Sequence, residues 1–287
     1  MIKQEDKVYN LYKSKLVDFD KLLFEALSKN KAGHPSQFYS RNNSVLSVRE
    51  KTLSLNDIKL KTALISNFIY DDLEEGKALF EKISQELDKE NIINVVIPSS
   101  HEFDYSVYGY ETAIEHYVYN FATNLLPSFS VEGIVLDPTV EQLMNMYNTF
   151  TSHFTGYFER TAEDFTLLKE SVKSLKGSIA SFQNRGYIVF IRYQSHIEVI
   201  ELVYDGSATL LKLLSFASRG MRRIVYIASE SEQIHKVLPE VTRSKEIFML
   251  AKVSDVDLFE RLFHIKILSA YSAFRAFAKP VFNRDFF

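Results

Sequence analysis

Tyr105, Tyr108 and Tyr110 crowd around Gly109 in the stretch HEFDYSVYGY, with Asp104 and His101 beside them. Each tyrosine brings a phenol of pKa near 10, and a loop held by a rigid scaffold is where chemistry usually sits. The plainer alternative is a packed ring with a bonded hydroxyl, in a chain that has 16 tyrosines. His101 is near enough in sequence to order Tyr105, and Asp104 and Glu115 are acids that could attract a cationic amine. Other chemistries are excluded. The seven histidines, at 34, 101, 116, 153, 196, 235 and 264, include no pair at metal-ligand spacing on one helix, so no metal is expected. With no cysteine there is no thiolate nucleophile, thiolate metal site or disulfide.

Two strands are expected to hold this loop. Before it, Ile93, Val95, Val96 and Ile97 form a β-branched run that closes on Pro98, which cannot continue a ladder. After it, Ile114, His116, Val118 and Asn120 alternate with Glu115, Tyr117, Tyr119 and Phe121, the period of a strand.

Upstream, the apolar residues between 5 and 29 have the spacing of one or two amphipathic helices. Strands are then predicted over 44–48, 53–55 and 60–69, with turns near Lys51 and at Asn56-Asp57. Asp71 and Asp72 are N-cap candidates for a helix whose buried face carries Leu73, Gly76, Phe80, Ile83 and Leu87. Downstream, a strand over 131–136 precedes helices over 138–152 and 162–175. A hairpin over 178–192, a strand over 196–203, a helix opened by Tyr204-Asp205-Gly206 and a strand over 224–228 follow. The last 42 residues predict a strand over 247–253, a helix from Asp255 to about Phe263 and an aromatic tail, AFAKPVFNRDFF. Two stretches run in parallel: LKTALISNFIYDDLEEGKALF, leading to VVIPSS, and IEVIELVYDGSATLLKLLSF, leading to IVYIAS. Both read strand, Tyr-Asp, helix, strand, as two copies of one αβ unit would.

The chain has 287 residues, 46% of them apolar, enough for two domains or one large one. A net charge of −3 gives no reason to expect nucleic acid or an anionic membrane surface as partner. The charged start MIKQEDK lacks the apolar core of a signal peptide, and no apolar run approaches the ~18 residues of a membrane span. A cytoplasmic location is the expectation.

The order strand, Pro-Ser, aromatic, Tyr105, aromatic-Gly-Tyr at 108–110 and a long alternating strand resembles the end of the acetyl-CoA-dependent domain in the Eis-like group of GNAT acetyltransferases. The resemblance spans the chain in order and is remote. It implies an α/β fold with mixed sheets: a first GNAT-like domain over 1–126, a second, degenerate one over 127–245, and a truncated remnant of a sterol-carrier-like domain over 246–287. The implied activity is transfer of an acetyl group from acetyl-CoA to a small-molecule amine. It further implies that Tyr105 is the acid toward the departing thiolate, and that the terminal carboxylate of Phe287 is the base for the amine, its tail docked on the first domain. The cofactor would lie along Ser66, Asn67 and Phe68 and on Gly76, Lys77 and Ala78. Self-association into a homo-oligomer is also implied. The chain departs from the family at Leu73-Glu74-Glu75, where the pattern Arg-x-x-Gly-x-Gly or Ala would place an arginine at 73. Gly76 and Ala78 keep the small positions, but two glutamates stand where phosphates are expected. The alternative is a catalytically inactive scaffold that serves as a small-molecule-binding or interaction module.

Overall fold

The computed structural model describes residues 9, 10, 12, 37–90, 92–98 and 103–276. The helices expected between 5 and 29, apart from residues 9, 10 and 12, lie outside the described residues, as do His101 and the tail to Phe287. The chain divides into two compact units, one of residues up to 114 together with 247–276, the other of residues 115–246. No helix among the described residues is long and apolar enough to cross a membrane.

The first unit is a mixed sheet with one long helix. Its strands are β1 (Gln37–Arg41), β2 (Ser44–Leu55), β3 (Ile58–Ile69) and β4 (Asn94–Pro98), joined from the far end of the chain by the later half of β12 (Arg243–Val253). The pairings β1–β2, β2–β3 and β4–β12 are antiparallel, while β3 and β4 are parallel. A parallel pair needs a crossover, and here it is α1 (Leu73–Leu87). Asp72 caps α1, and Phe80, Ile83 and Leu87 pack on Leu46, Ile65, Val95 and Ile97.

Two expectations for this unit are corrected. The turn near Lys51 does not exist: β2 runs unbroken because Arg49 and Lys51 are buried within it, and Glu50 pairs with Lys61 of β3 at 2.8 Å. Leu73 is 45% exposed, so the buried face of α1 begins at Gly76 and includes Leu79 instead. The turn at Asn56-Asp57 is where it was expected, with both residues at positive φ, 47° and 65°, as a tight two-residue hairpin demands.

The second unit has its own mixed sheet, in the order β5 (Glu111–Ala122), β11 (Arg223–Ser229), β10 (His196–Tyr204), β9 (Gly186–Arg192), β8 (Ser178–Phe182) and β6 (Ile134–Leu136). Residues 115–122 of β5 belong to it. Only the pair β10–β11 is parallel, and α4 (Ser207–Ala217) makes the crossover. Leu210, Leu213, Leu214 and Ala217 of α4 are fully buried, and each leucine is worth roughly 2 kcal/mol of transfer free energy. Gly186 starts β9 where a side chain could not fit, because a Cβ would lie 2.2 Å from the carbonyl of Val203. α2 (Val140–Thr151) and α3 (Ala162–Ser174) open on Thr139 and Thr161 in reciprocal capping boxes. A short strand, β7 (Gly156–Phe158), lies between them, and α5 (Ile234–Val237) follows β11. α6 (Val256–Phe263) and α7 (Ala270–Arg275) close the described chain within the first unit.

Candidate functional site

The segment Ser66–Phe68 sits at an irregularity of β3. Between Ser66, opposite Ser47, and Ile69, opposite Val45, β3 holds one residue more than β2. Asn67 takes the left-handed conformation there, φ 52°, which asparagine tolerates better than most side chains. The kink is hydrogen-bonded from β2. Ser47 Oγ donates to the Ser66 carbonyl at 3.0 Å and accepts from Asn67 Nδ2 at 3.3 Å.

The bulge bends β3 where its other neighbour is lost. β3 and β4 are laddered at Thr62–Asn94, Ala63–Val95 and Leu64–Val96, and the ladder goes no further. The outer edge of β3 remains paired with β2 up to Ile69, and that of β4 with β12 up to Pro98. The inner edges therefore diverge into a wedge at the carboxyl ends of two parallel strands, the usual ligand position in sheets of this kind. The stretch of β3 beyond Leu64 has no ladder partner on this side, and a sheet edge without a partner can take an extended, amide-bearing chain.

The start of α1 is different. The helix begins at Leu73, so the Gly76 amide already donates to the Asp72 carbonyl at 3.0 Å. Lys77 and Ala78 lie deeper in the helix, so none of these three amides is at its open end. Of the first-turn amides, that of Glu75 donates to Asp72 Oδ1 at 2.9 Å. Gly76 is small for a packing reason: a Cβ would stand 2.8 Å from Cγ of Tyr70. Both nearby cations are engaged, Lys77 with Glu74 at 2.7 Å and Arg41 with Glu75 at 2.9 Å. Three carboxylates, Asp72, Glu74 and Glu75, thus stand with these two cations. This helix start, with its Glu75 amide capped by Asp72 and two cations in ion pairs, offers a diphosphate fewer free donors than an uncapped one would.

Tyr105 lies in a braced loop. Asp104 Oδ1 accepts from the Ser106 amide at 3.0 Å and its hydroxyl at 2.5 Å. The Tyr105 carbonyl accepts from the amides of Tyr108 and Tyr110, and Gly109 closes the turn at φ 85°. The Tyr105 ring is 4% exposed. It packs 4.8 Å from Phe103 and 5.3 Å from Phe80 of α1, while Phe103 lies 5.0 Å from Phe68 beside the bulge. One aromatic cluster therefore links the loop, the helix and the wedge. Burial, and then the neighbouring Tyr70, push the Tyr105 phenol well above its ordinary range. It keeps its proton at neutral pH.

The second unit repeats the bulge. Ile200 is the extra residue of β10 against β9, and β10–β11 pairing stops at Val199–Tyr226. Next to the bulge, Glu201 accepts both guanidinium nitrogens of Arg160 at 2.9 and 2.7 Å and the hydroxyl of Tyr187. The guanidinium lies 4.5 Å from the ring of Tyr147, and both charges are buried. Nearby, Glu232 accepts from the Tyr226 hydroxyl and the Ser229 amide, each at 2.7 Å, and burial pushes its carboxyl up to about 7.

Arg41, Arg160, Glu201 and Glu232 were not singled out from the sequence. One of two acids inside the apolar run IEVIELVY, Glu201 had that placement as its available signal. Arg41, 34 residues from its partner, gave none. Among the described residues no cluster of histidine, aspartate and glutamate could hold a metal ion.

No family model matches the sequence, and no curated protein is similar to it in sequence. Solved structures are similar. A conserved protein of unknown function from Enterococcus faecalis V583, described as a probable N-acyltransferase, is 15% identical with a TM-score of 0.70, over 90% of this chain and 72% of that one. A GCN5-related N-acetyltransferase from Anabaena variabilis is 16% identical with a TM-score of 0.65, over 89% and 71%. Eis1 from Mycobacterium abscessus is 13% identical with a TM-score of 0.64, over 90% and 73%. The chain has the fold of GCN5-related N-acetyltransferases. At this identity the likeness concerns the fold, and function rests on the site.

Proposed function

We propose that this chain is an N-acyltransferase of the GCN5-related type, moving an acyl group from a thioester to a small-molecule amine, with the Eis-like proteins as a functional model. The observation that carries the reading is the wedge between β3 and β4, opened by the Asn67 bulge and joined by packed rings to Tyr105. The two units, each with a bulged strand, a crossover helix and a diverging parallel pair, are read as two copies of one αβ unit. The second is read as degenerate, with the Arg160–Glu201 pair next to its bulge.

In the reaction, the amine nitrogen bonds to the acyl carbon as the carbon–sulfur bond breaks. Tyr105 gives its proton to the leaving sulfur, and the nitrogen loses one to a base, the role the resemblance assigns to the carboxylate of Phe287. General acid help of this kind typically contributes about 10²–10⁴-fold. Supporting the assignment, Asp104 braces the loop and Glu111, next to Tyr110, accepts from the Ala270 amide at 2.8 Å, which holds α7 and the end of the described chain in the same unit.

The test is calorimetric titration with acetyl-pantetheine in the absence of amine, then release of free thiol with a panel of amines. Binding, turnover, and a Tyr105→Phe variant that binds equally but turns over at least tenfold more slowly are expected. Absence of both binding and thiol release would leave the second reading, an inactive binding scaffold, which the capped start of α1 favours.

A further inference from the structure

We propose that the site takes the pantetheine arm of its acyl donor and discriminates against a nucleotide diphosphate, so that acetyl-CoA is not its preferred donor. The inference rests on the acyltransferase reading above and refines the donor class. The two halves of the site make opposite offers. In the wedge, the inner edge of β3 beyond Leu64, no longer laddered to β4, presents backbone to an arm that carries two amides. At the start of α1, where a diphosphate would follow, the Glu75 amide is held by Asp72 and the Gly76 amide by the Asp72 carbonyl. The ion pairs of Arg41 with Glu75 and of Lys77 with Glu74 engage these two cations, and Asp72 adds a third carboxylate. A helix start attracts anions through free amides and its dipole; here the Asp72 carboxylate already supplies an anion and takes the Glu75 amide. A diphosphate would have to displace carboxylates from their cations and then sit against an excess of negative charge.

The probes are acetyl-pantetheine and acetyl-CoA, titrated into the full chain without amine. Acetyl-pantetheine is expected to bind at least threefold more tightly than acetyl-CoA. Glu74→Gln with Glu75→Gln frees Lys77 and Arg41 without touching the wedge. It should tighten acetyl-CoA about tenfold and leave acetyl-pantetheine within twofold. Because both glutamates are at the surface, the variant should keep its fold, and its melting temperature checks this. Equal or tighter binding of acetyl-CoA by the native chain overturns the inference and leaves the acyltransferase reading standing. A charge-neutralised variant that gains nothing toward acetyl-CoA also overturns the inference. Binding of neither probe removes the reading and the inference together.

Discussion

Replacing Glu232 by glutamine tests the electrostatics of the second unit. Burial lifts the carboxyl from an ordinary 4.5 to about 7, although the Tyr226 hydroxyl and the Ser229 amide both favour its ionised form. The folded chain therefore holds this proton more tightly than the unfolded chain does. Stability from that source is complete below pH 4.5 and is lost as pH rises through 7. At about 1.4 kcal/mol per pH unit, the full loss is about 3 kcal/mol, or about 5 °C in melting temperature for cooperative unfolding of a chain of this length. Glutamine keeps an acceptor for the Ser229 amide, and the Tyr226 hydroxyl can turn to accept from the new amide. Melting temperatures of both proteins at intervals from pH 4 to 9 isolate the effect, since every other titrating group is common to both. The native protein should lose about 5 °C relative to Glu232→Gln across that range, most of it between pH 5 and 7.5. Parallel curves would refute the argument and place water or a compensating cation beside Glu232.

Three further outcomes are expected. Arg160→Met leaves Glu201 charged and unpaired inside the second unit and should cost about 3–5 kcal/mol in urea unfolding; adding Glu201→Leu should recover most of it, and a single-variant loss below about 1 kcal/mol would deny the pair its role. Asn67→Gly should be nearly neutral because φ is 52°, whereas Asn67→Val should cost about 1–3 kcal/mol; equal stability of the two would mean that the bulge relaxes. Gly76→Ala, stabilising in most helices by about 1 kcal/mol, should instead destabilise here by about 1–3 kcal/mol, because the new methyl meets the Tyr70 ring; a raised melting temperature would contradict that packing.

What the residues dictated locally, the sequence by itself determined. Asp72, Thr139, Thr161 and Asp255 start helices because a short polar side chain can bond amides two or three residues ahead. Asn56-Asp57 turns the β2–β3 hairpin because those types accept positive φ. Period and β-branching marked β4 and β10, and the tyrosine loop stood out by composition. The segment Ser66–Phe68 came from a resemblance, and only the register of β2 against β3 exposed the extra residue that makes it a bulge.

Everything that depends on partners far along the chain was decided by tertiary structure. Arg49 and Lys51 read as a turn, yet they are buried in a continuous strand. The Tyr70 ring stands where a Cβ of Gly76 would be, a contact the local sequence does not show. The partner of β4 is β12, from the other end of the chain, and not its sequence neighbour β5. Arg41 neutralises Glu75, and Arg160 neutralises Glu201. Local sequence sets backbone angles and caps through atoms a few bonds apart. Which charges are paired, which amides are free and which strands diverge is settled only when distant segments are brought together.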